Sequence, residues 1–160
     1  MALQSLTDYL DEHSVEYVVI THSPAFTAQG VAGMAHISGK EIAKTIIAKL
    51  DGRLVMAVVP AMLHVDLALL KRVATAGIAA VANEDEFRLR FPECETGAMP
   101  PFGNLFGMEV YADESLAKDK EIAFNAGSHR ELIRMSWEDY RSLVDPRIAR
   151  IGAGKATAAA

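Results

Sequence analysis

The chain has 160 residues, 51% of them hydrophobic and 23% charged, the size and composition of one globular domain with a real core. Its net charge of −5 argues against a general nucleic-acid coat. No apolar run approaches the roughly 18 residues of a membrane span, and residues 1–10 lack the basic start and apolar core of a secretory signal.

Leu3, Leu6 and Leu10 recur at helical spacing, so residues 3–13 read as an amphipathic helix. Residues 17–20 form a short β-branched strand, broken by His22-Ser23-Pro24. Thr27 is an N-cap for a short helix through Met34, weakened by Gly30 and Gly33. Gly39 releases the chain into a strand ending near Leu50. Asp51-Gly52 is a hairpin turn, and residues 54–59 are the partner strand, ended by Pro60. Asp66 caps a helix over 67–75 with Leu67, Leu70 and Ala74 inward. Residues 78–82 are a small strand, and Asn83 caps a short helix whose early carboxylates suit its dipole. Residues 95–107 hold too much Gly and Pro for regular structure. Strands follow at 108–111, 121–125 and 131–135, with a tight turn at Ala126-Gly127-Ser128-His129. Ser136 and Asp139 begin a last helix through Val144, ended by Asp145-Pro146.

No internal repeat or linker divides the chain. One domain is expected over 1–150, with the Gly- and Ala-rich residues 151–160 as a disordered tail. Strands outnumber helices and come partly as hairpins. The fold class is therefore α+β (mixed α/β), with a mixed, largely antiparallel sheet. No G-x-G-x-x-G follows a strand and no Walker-type loop is present, which excludes a doubly wound dinucleotide fold.

Lys44 stands out within its strand. Period-two alternation puts it on one face with Ile42, Ile46 and Ala48, while Ala43, Thr45, Ile47 and Lys49 take the other. Lys49, at the strand end, reaches water by extending its stem. Lys44 has apolar neighbours on both sides, and a cation so flanked is costly unless a cleft or an anion receives it. Two readings stay open from these residues alone. One is an edge-strand lysine that blocks aggregation. The other is a lysine that meets a polar or anionic substrate in a pocket.

Other chemistry is thinly represented. His13, His22, His36, His64 and His129 show no H-x-x-x-H spacing, so no metal site is expected. Cys94 is the single cysteine, which leaves no disulfide framework and fits a reducing cytoplasm. It lies in E-C-E, where carboxylates disfavour a thiolate nucleophile. No G-x-S-x-G elbow exists. His129 occupies a turn between strands, a position open to function or to none. The loop G-A-M-P-P at 97–101 is either a plain surface loop or a stiff cradle whose free N–H groups are held for an oxyanion. Residues 61–127 carry eleven acids and six bases, and residues 128–160 four acids and six bases. Arg130, Arg134, Arg141, Arg147, Arg150 and Lys155 could thus form a local positive face.

Taken together, T-A-Q after H-S-P-A-F, I-A-K-T-I-I around Lys44, G-A-M-P-P at 97–101 and the later F-N-A-G-S-H resemble the YbaK and prolyl-tRNA-synthetase-associated editing-domain family. The ordered match runs from about residue 15 to 144. The resemblance implies a compact fold around a curved sheet, no metal or organic cofactor, and a cytoplasmic trans-editing hydrolase of mischarged tRNA. Lys44 looks like the family's essential lysine. Gly97 and Pro101 match the ends of its G-x-x-x-P loop, which carries Ala98 and Met99 between them. Gly127 and His129 resemble the segment near the terminal adenosine. Phe26, Thr27 and Thr45 would line the same pocket. The implied partner is tRNA, through the proline acceptor end, with prolyl-tRNA synthetase or an elongation factor presenting it. DNA and membrane are not implied. The rivals are a non-catalytic module binding a nucleotide or RNA end, and a hydrolase of another small ester.

Overall fold

The structure, a computed structural model, describes residues 3–21 and 42–154. The expectations for Phe26, Thr27 and the short helix through Met34 lie outside the described residues, as does Lys155.

The chain begins with α1 (Gln4–Glu12), which buries Leu6 and Leu10. No side chain caps it. Instead, the Leu3 N–H donates to the Ala126 carbonyl at 2.8 Å, tying the start of the helix to a later turn. Strand β1 (Tyr17–Thr21) follows. Strands β2 (Ala43–Leu50) and β3 (Arg53–Pro60) form the expected hairpin. Asp51 and Gly52 both have positive φ, 49° and 88°, as a two-residue turn matched to strand twist requires. The Asp51 carboxylate also accepts the N–H groups of Gly77 and Ile78, at 3.0 and 2.8 Å.

After β4 (His64–Val65), Asp66 caps α2 (Leu67–Ala74) by accepting the Leu69 N–H. Strand β5 (Ala79–Val81) leads into α3 (Glu84–Phe87). There Asn83 and Glu86 exchange side-chain-to-backbone hydrogen bonds as a capping box, a sequence-local device. Strands β6 (Glu109–Asp113), β7 (Glu121–Asn125) and β8 (Glu131–Ser136) precede α4 (Trp137–Val144). The chain ends in β9 (Arg147–Ala149) and β10 (Gly152–Ala153).

The mixed α/β class holds, and the strands of the described residues fall into sheets of five, three and two. A five-stranded sheet runs β5-β2-β3-β6-β9, antiparallel around β2 and parallel at β3-β6 and β6-β9. A three-stranded antiparallel sheet runs β1-β8-β7. The two meet at a parallel bridge between Ile42 and Ala123, and the ladder goes no further. Each face of β3 meets a different apolar layer. Met56 and Val58 join α1, α4 and the smaller sheet, while Val55, Ala57 and Val59 pack with Leu70 and Tyr111. Burial on both faces explains why its sequence is continuously apolar and does not alternate.

The expected boundary at residue 150 falls short. Ile151 is fully buried, and Gly152–Ala153 pair with His64–Val65. Tertiary contacts hold this segment where composition suggested a tail. Asp113, 3% exposed, accepts the N–H groups of Ile151 and Gly152 at 2.9 and 2.8 Å. Two of the carboxyl-terminal basic residues sit beside carboxylates. Arg134 lies 3.8 Å from Glu121, and Arg141 lies 3.8 Å from Glu138.

Candidate active site

Lys44 is half-buried in β2, opposite Val59 of β3. Among the described residues it has no hydrogen-bond or ion-pair partner, and burial pulls its pKa below the usual lysine range. Lys49, five residues on, forms an ion pair with Glu86. The contrast bears on the gatekeeper reading. An exposed gatekeeping charge keeps its hydration, whereas Lys44 carries part of the desolvation cost with no compensating carboxylate among the described residues. Its neighbour Thr45 is buried, at 8% exposure, on the opposite face of the strand. Thr45 therefore does not share the Lys44 side of β2, a point against its lining the same pocket.

Residues 97–101 do not form a plain surface loop. Gly97 is exposed, but residues 98–103 are buried. The loop is laced to the turn after β7: the Glu95 N–H donates to the Gly127 carbonyl and the Gly127 N–H to the Ala98 carbonyl, both at 2.9 Å. The Ala98 N–H closes a turn onto Glu95, so it is spent. Among the described residues, the N–H groups of Gly97 and Met99 have no acceptor, and the two prolines have no N–H to offer. Two glycines are required by backbone geometry. Gly97 has φ +83° and Gly127 φ +96°, and a Cβ on Gly127 would come within 3.0 Å of Leu3 Cβ.

His129 is tied into the same assembly. Its backbone N–H donates to Glu95 Oε2 at 3.0 Å, and Nε2 lies 2.7 Å from the Thr96 carbonyl oxygen. A carbonyl only accepts, so Nε2 carries a proton and Nδ1 is the ring atom left for a ligand. The ring is thus held by the loop, which suits a positioning role better than that of a freely swinging base.

Two contributors were not singled out by sequence. Glu95 fastens His129. Tyr140 of α4 donates its hydroxyl to the Pro101 carbonyl at 2.7 Å, fully buried. The Phe102 ring stands edge-on to Tyr140, with centroids 5.4 Å apart. Burial drives the Tyr140 hydroxyl far above its usual pKa, so it stays a neutral donor. Only the helical phase of α4, which turns Tyr140 inward with Trp137, hinted at it. Tyr140→Phe should leave the Pro101 carbonyl unpaired. A loss of about 1–2 kcal/mol is expected, or roughly 2–8 °C in Tm, with a fall in kcat/KM at temperatures where the variant is fully folded. Unchanged kcat/KM there would show that the anchor serves stability alone.

Cys94 is a poor nucleophile. Burial, with the Glu93 charge as a smaller contribution, pushes its thiol up to about 11, so the carboxylates of E-C-E are the minor cause. Among the described residues no group of three or more His, Cys, Asp or Glu is placed to hold a metal ion.

A family model described as an aminoacyl-tRNA editing domain matches residues 22–143. No curated protein matches the sequence. Among solved structures, the hypothetical protein APE2540 superposes with a TM-score of 0.84 at 17% identity, covering 94% of this chain and 100% of its own. A candidate trans-editing enzyme for prolyl-tRNA synthetase superposes with a TM-score of 0.81 at 20% identity, covering 93% of this chain and 95% of its own. At these identities the superpositions establish a shared fold.

Proposed function

This chain belongs to the aminoacyl-tRNA editing-domain family, and on that premise we propose that it deacylates mischarged tRNA in trans. The favoured substrate is tRNAPro carrying a small non-cognate amino acid such as alanine, cysteine or 2-aminobutyrate. The observation that carries this reading is a half-buried cation with no partner among the described residues, taken together with a loop whose position is fixed. Ile42, two residues before Lys44, bridges to Ala123 of β7, and β7 leads directly into the turn that grips residues 95–98, which supports placing Lys44 near that loop.

In this mechanism Lys44 holds the terminal adenosine through phosphate or ribose contacts, as a compact cationic donor. The ester carbonyl rests against the loop, and its developing oxyanion accepts from the Gly97 or Met99 N–H. Water attacks the carbonyl carbon, the ester C–O bond breaks, and the ribose oxygen leaves with a proton. His129 holds the nucleotide through Nδ1. Small side chains are accepted because a fixed pocket excludes larger ones by clash. Phe26 and Thr27 belong to this proposal by resemblance alone.

A cytoplasmic setting, and presentation of the tRNA by prolyl-tRNA synthetase or an elongation factor, are part of the same reading. It is tested by a deacylation time course on tRNAPro charged in turn with alanine, cysteine, serine, threonine, 2-aminobutyrate and proline. Rapid loss of one small amino acid with proline spared is expected. Stability of every ester in the panel would overturn the reading and move the site toward RNA-end binding without turnover.

A further inference from the structure

Residues 95–98 form one β-turn. The Ala98 N–H donates to the Glu95 carbonyl at 3.0 Å, Thr96 keeps a negative φ and Gly97 has φ +83°, the combination of a type II turn. A type I turn would close the same hydrogen bond over the same four residues. The two forms differ by a flip of the middle peptide, which exchanges the directions of the Thr96 carbonyl and the Gly97 N–H. Glycine in the third position admits both, because it has no Cβ to set the sign of φ.

The flanks of that peptide are pinned. The Glu95 N–H donates to the Gly127 carbonyl, and the Ala98 carbonyl accepts the Gly127 N–H, both at 2.9 Å. The Thr96 hydroxyl donates to Glu84 Oε1 at 2.8 Å, which holds the corner of the turn against α3. The middle peptide is the freedom that remains, and His129 meets it. Its Nε2–H donates to the Thr96 carbonyl at 2.7 Å, while its own backbone N–H is held by Glu95 Oε2 at 3.0 Å. The Nε2 bond belongs to the type II form alone. After a flip the Gly97 N–H would turn toward Nε2, one donor against another.

We propose that His129 is a positioning residue for the 96–97 peptide: its Nε2–H holds the turn in the type II form and so presents the Gly97 N–H, on the opposite edge of that peptide, to the ester oxyanion. The inference rests on the proposed function and selects Gly97 over Met99 as the oxyanion donor. It gives the two ring nitrogens separate tasks, with Nδ1 left for the nucleotide and Nε2 spent on the protein's own backbone.

The test compares wild type, His129→Ala and His129→Gln on alanyl-tRNAPro. His129→Ala should lower kcat about 10- to 100-fold, because a donor to the oxyanion acts on the transition state, and should raise KM through the lost nucleotide contact. His129→Gln keeps an N–H donor without the ring, so it should recover most of kcat while KM stays raised. A loss confined to KM, or a Gln variant with kcat no higher than the Ala variant, would overturn the inference. The direction of the Gly97 N–H is read in parallel, without substrate, from its 15N–1H residual dipolar coupling. A single direction in wild type, changed or averaged in His129→Ala and restored in His129→Gln, upholds the positioning role even if no ester is turned over, in which case the proposed function alone fails. A Gly97 N–H that keeps its direction in His129→Ala overturns the inference, even if editing is established.

Discussion

Lys44→Met should remove deacylation by about 100- to 1,000-fold, the scale set by deleting one donor that stabilises charge at a reacting centre, while leaving the fold at least as stable. The two halves of this expectation have one cause. The Lys44 pKa lies below the ordinary 10.5 because burial disfavours its charged form. The folded state therefore binds that proton more weakly than the unfolded chain. The resulting penalty is fully present below the folded pKa and is relieved as pH rises toward the unfolded value. Methionine fills similar space without the charge, so Tm at neutral pH should hold or rise by about 2 °C. In the wild type, the rate should fall as pH climbs through the lowered pKa, earlier than an exposed lysine would allow. Thermal melting and single-turnover deacylation of the same samples check both halves. Wild-type turnover by the variant would remove Lys44 from the chemistry.

Asp113→Ala should give the largest loss of stability. This carboxylate accepts the Ile151, Gly152 and Ser115 N–H groups and the Ser115 hydroxyl. Truncation unpairs several buried donors at once, at about 1–3 kcal/mol each. A total near 4 kcal/mol, or about 8–16 °C in Tm, is expected. Burial alone would raise the Asp113 pKa, but the hydrogen bonds from Ser115, Ile151 and Gly152 together outweigh it and hold the pKa below the ordinary 3.8. The stability so gained is present above that value and is lost as pH falls through the lower, folded pKa. An acid titration of stability should thus be steeper in wild type than in Asp113→Asn at the bottom of the pH range. Equal slopes would show that Asp113 contributes through geometry alone.

Much of the local structure was written in short stretches of sequence. The Asp51-Gly52 turn, the Asp66 and Asn83 caps and the Ser136–Asp139 start of α4 each depend on residues within a few positions of one another. Their hydrogen bonds close over the same few positions. The short pieces β4, β9 and β10 were missed because two or three residues carry no period, and pairing partners far along the chain define them. Ile151 was read as tail for the same reason: its burial depends on Asp113 and on the layer around Tyr111, not on its Gly- and Ala-rich neighbours.

At the site, the sequence by itself determined that a lysine interrupts an apolar strand, that glycines and prolines stiffen one loop, and that a glycine turn carries a histidine. Period and residue chemistry suffice for those statements. Tertiary structure decided which of these features meet. It locked the 95–98 segment onto Gly127, spent the Ala98 N–H, and fixed the proton on His129 Nε2. It also brought in Tyr140 from a helix. Hydrogen bonds between segments about thirty or more residues apart leave no periodic trace, so only the folded chain could assign them.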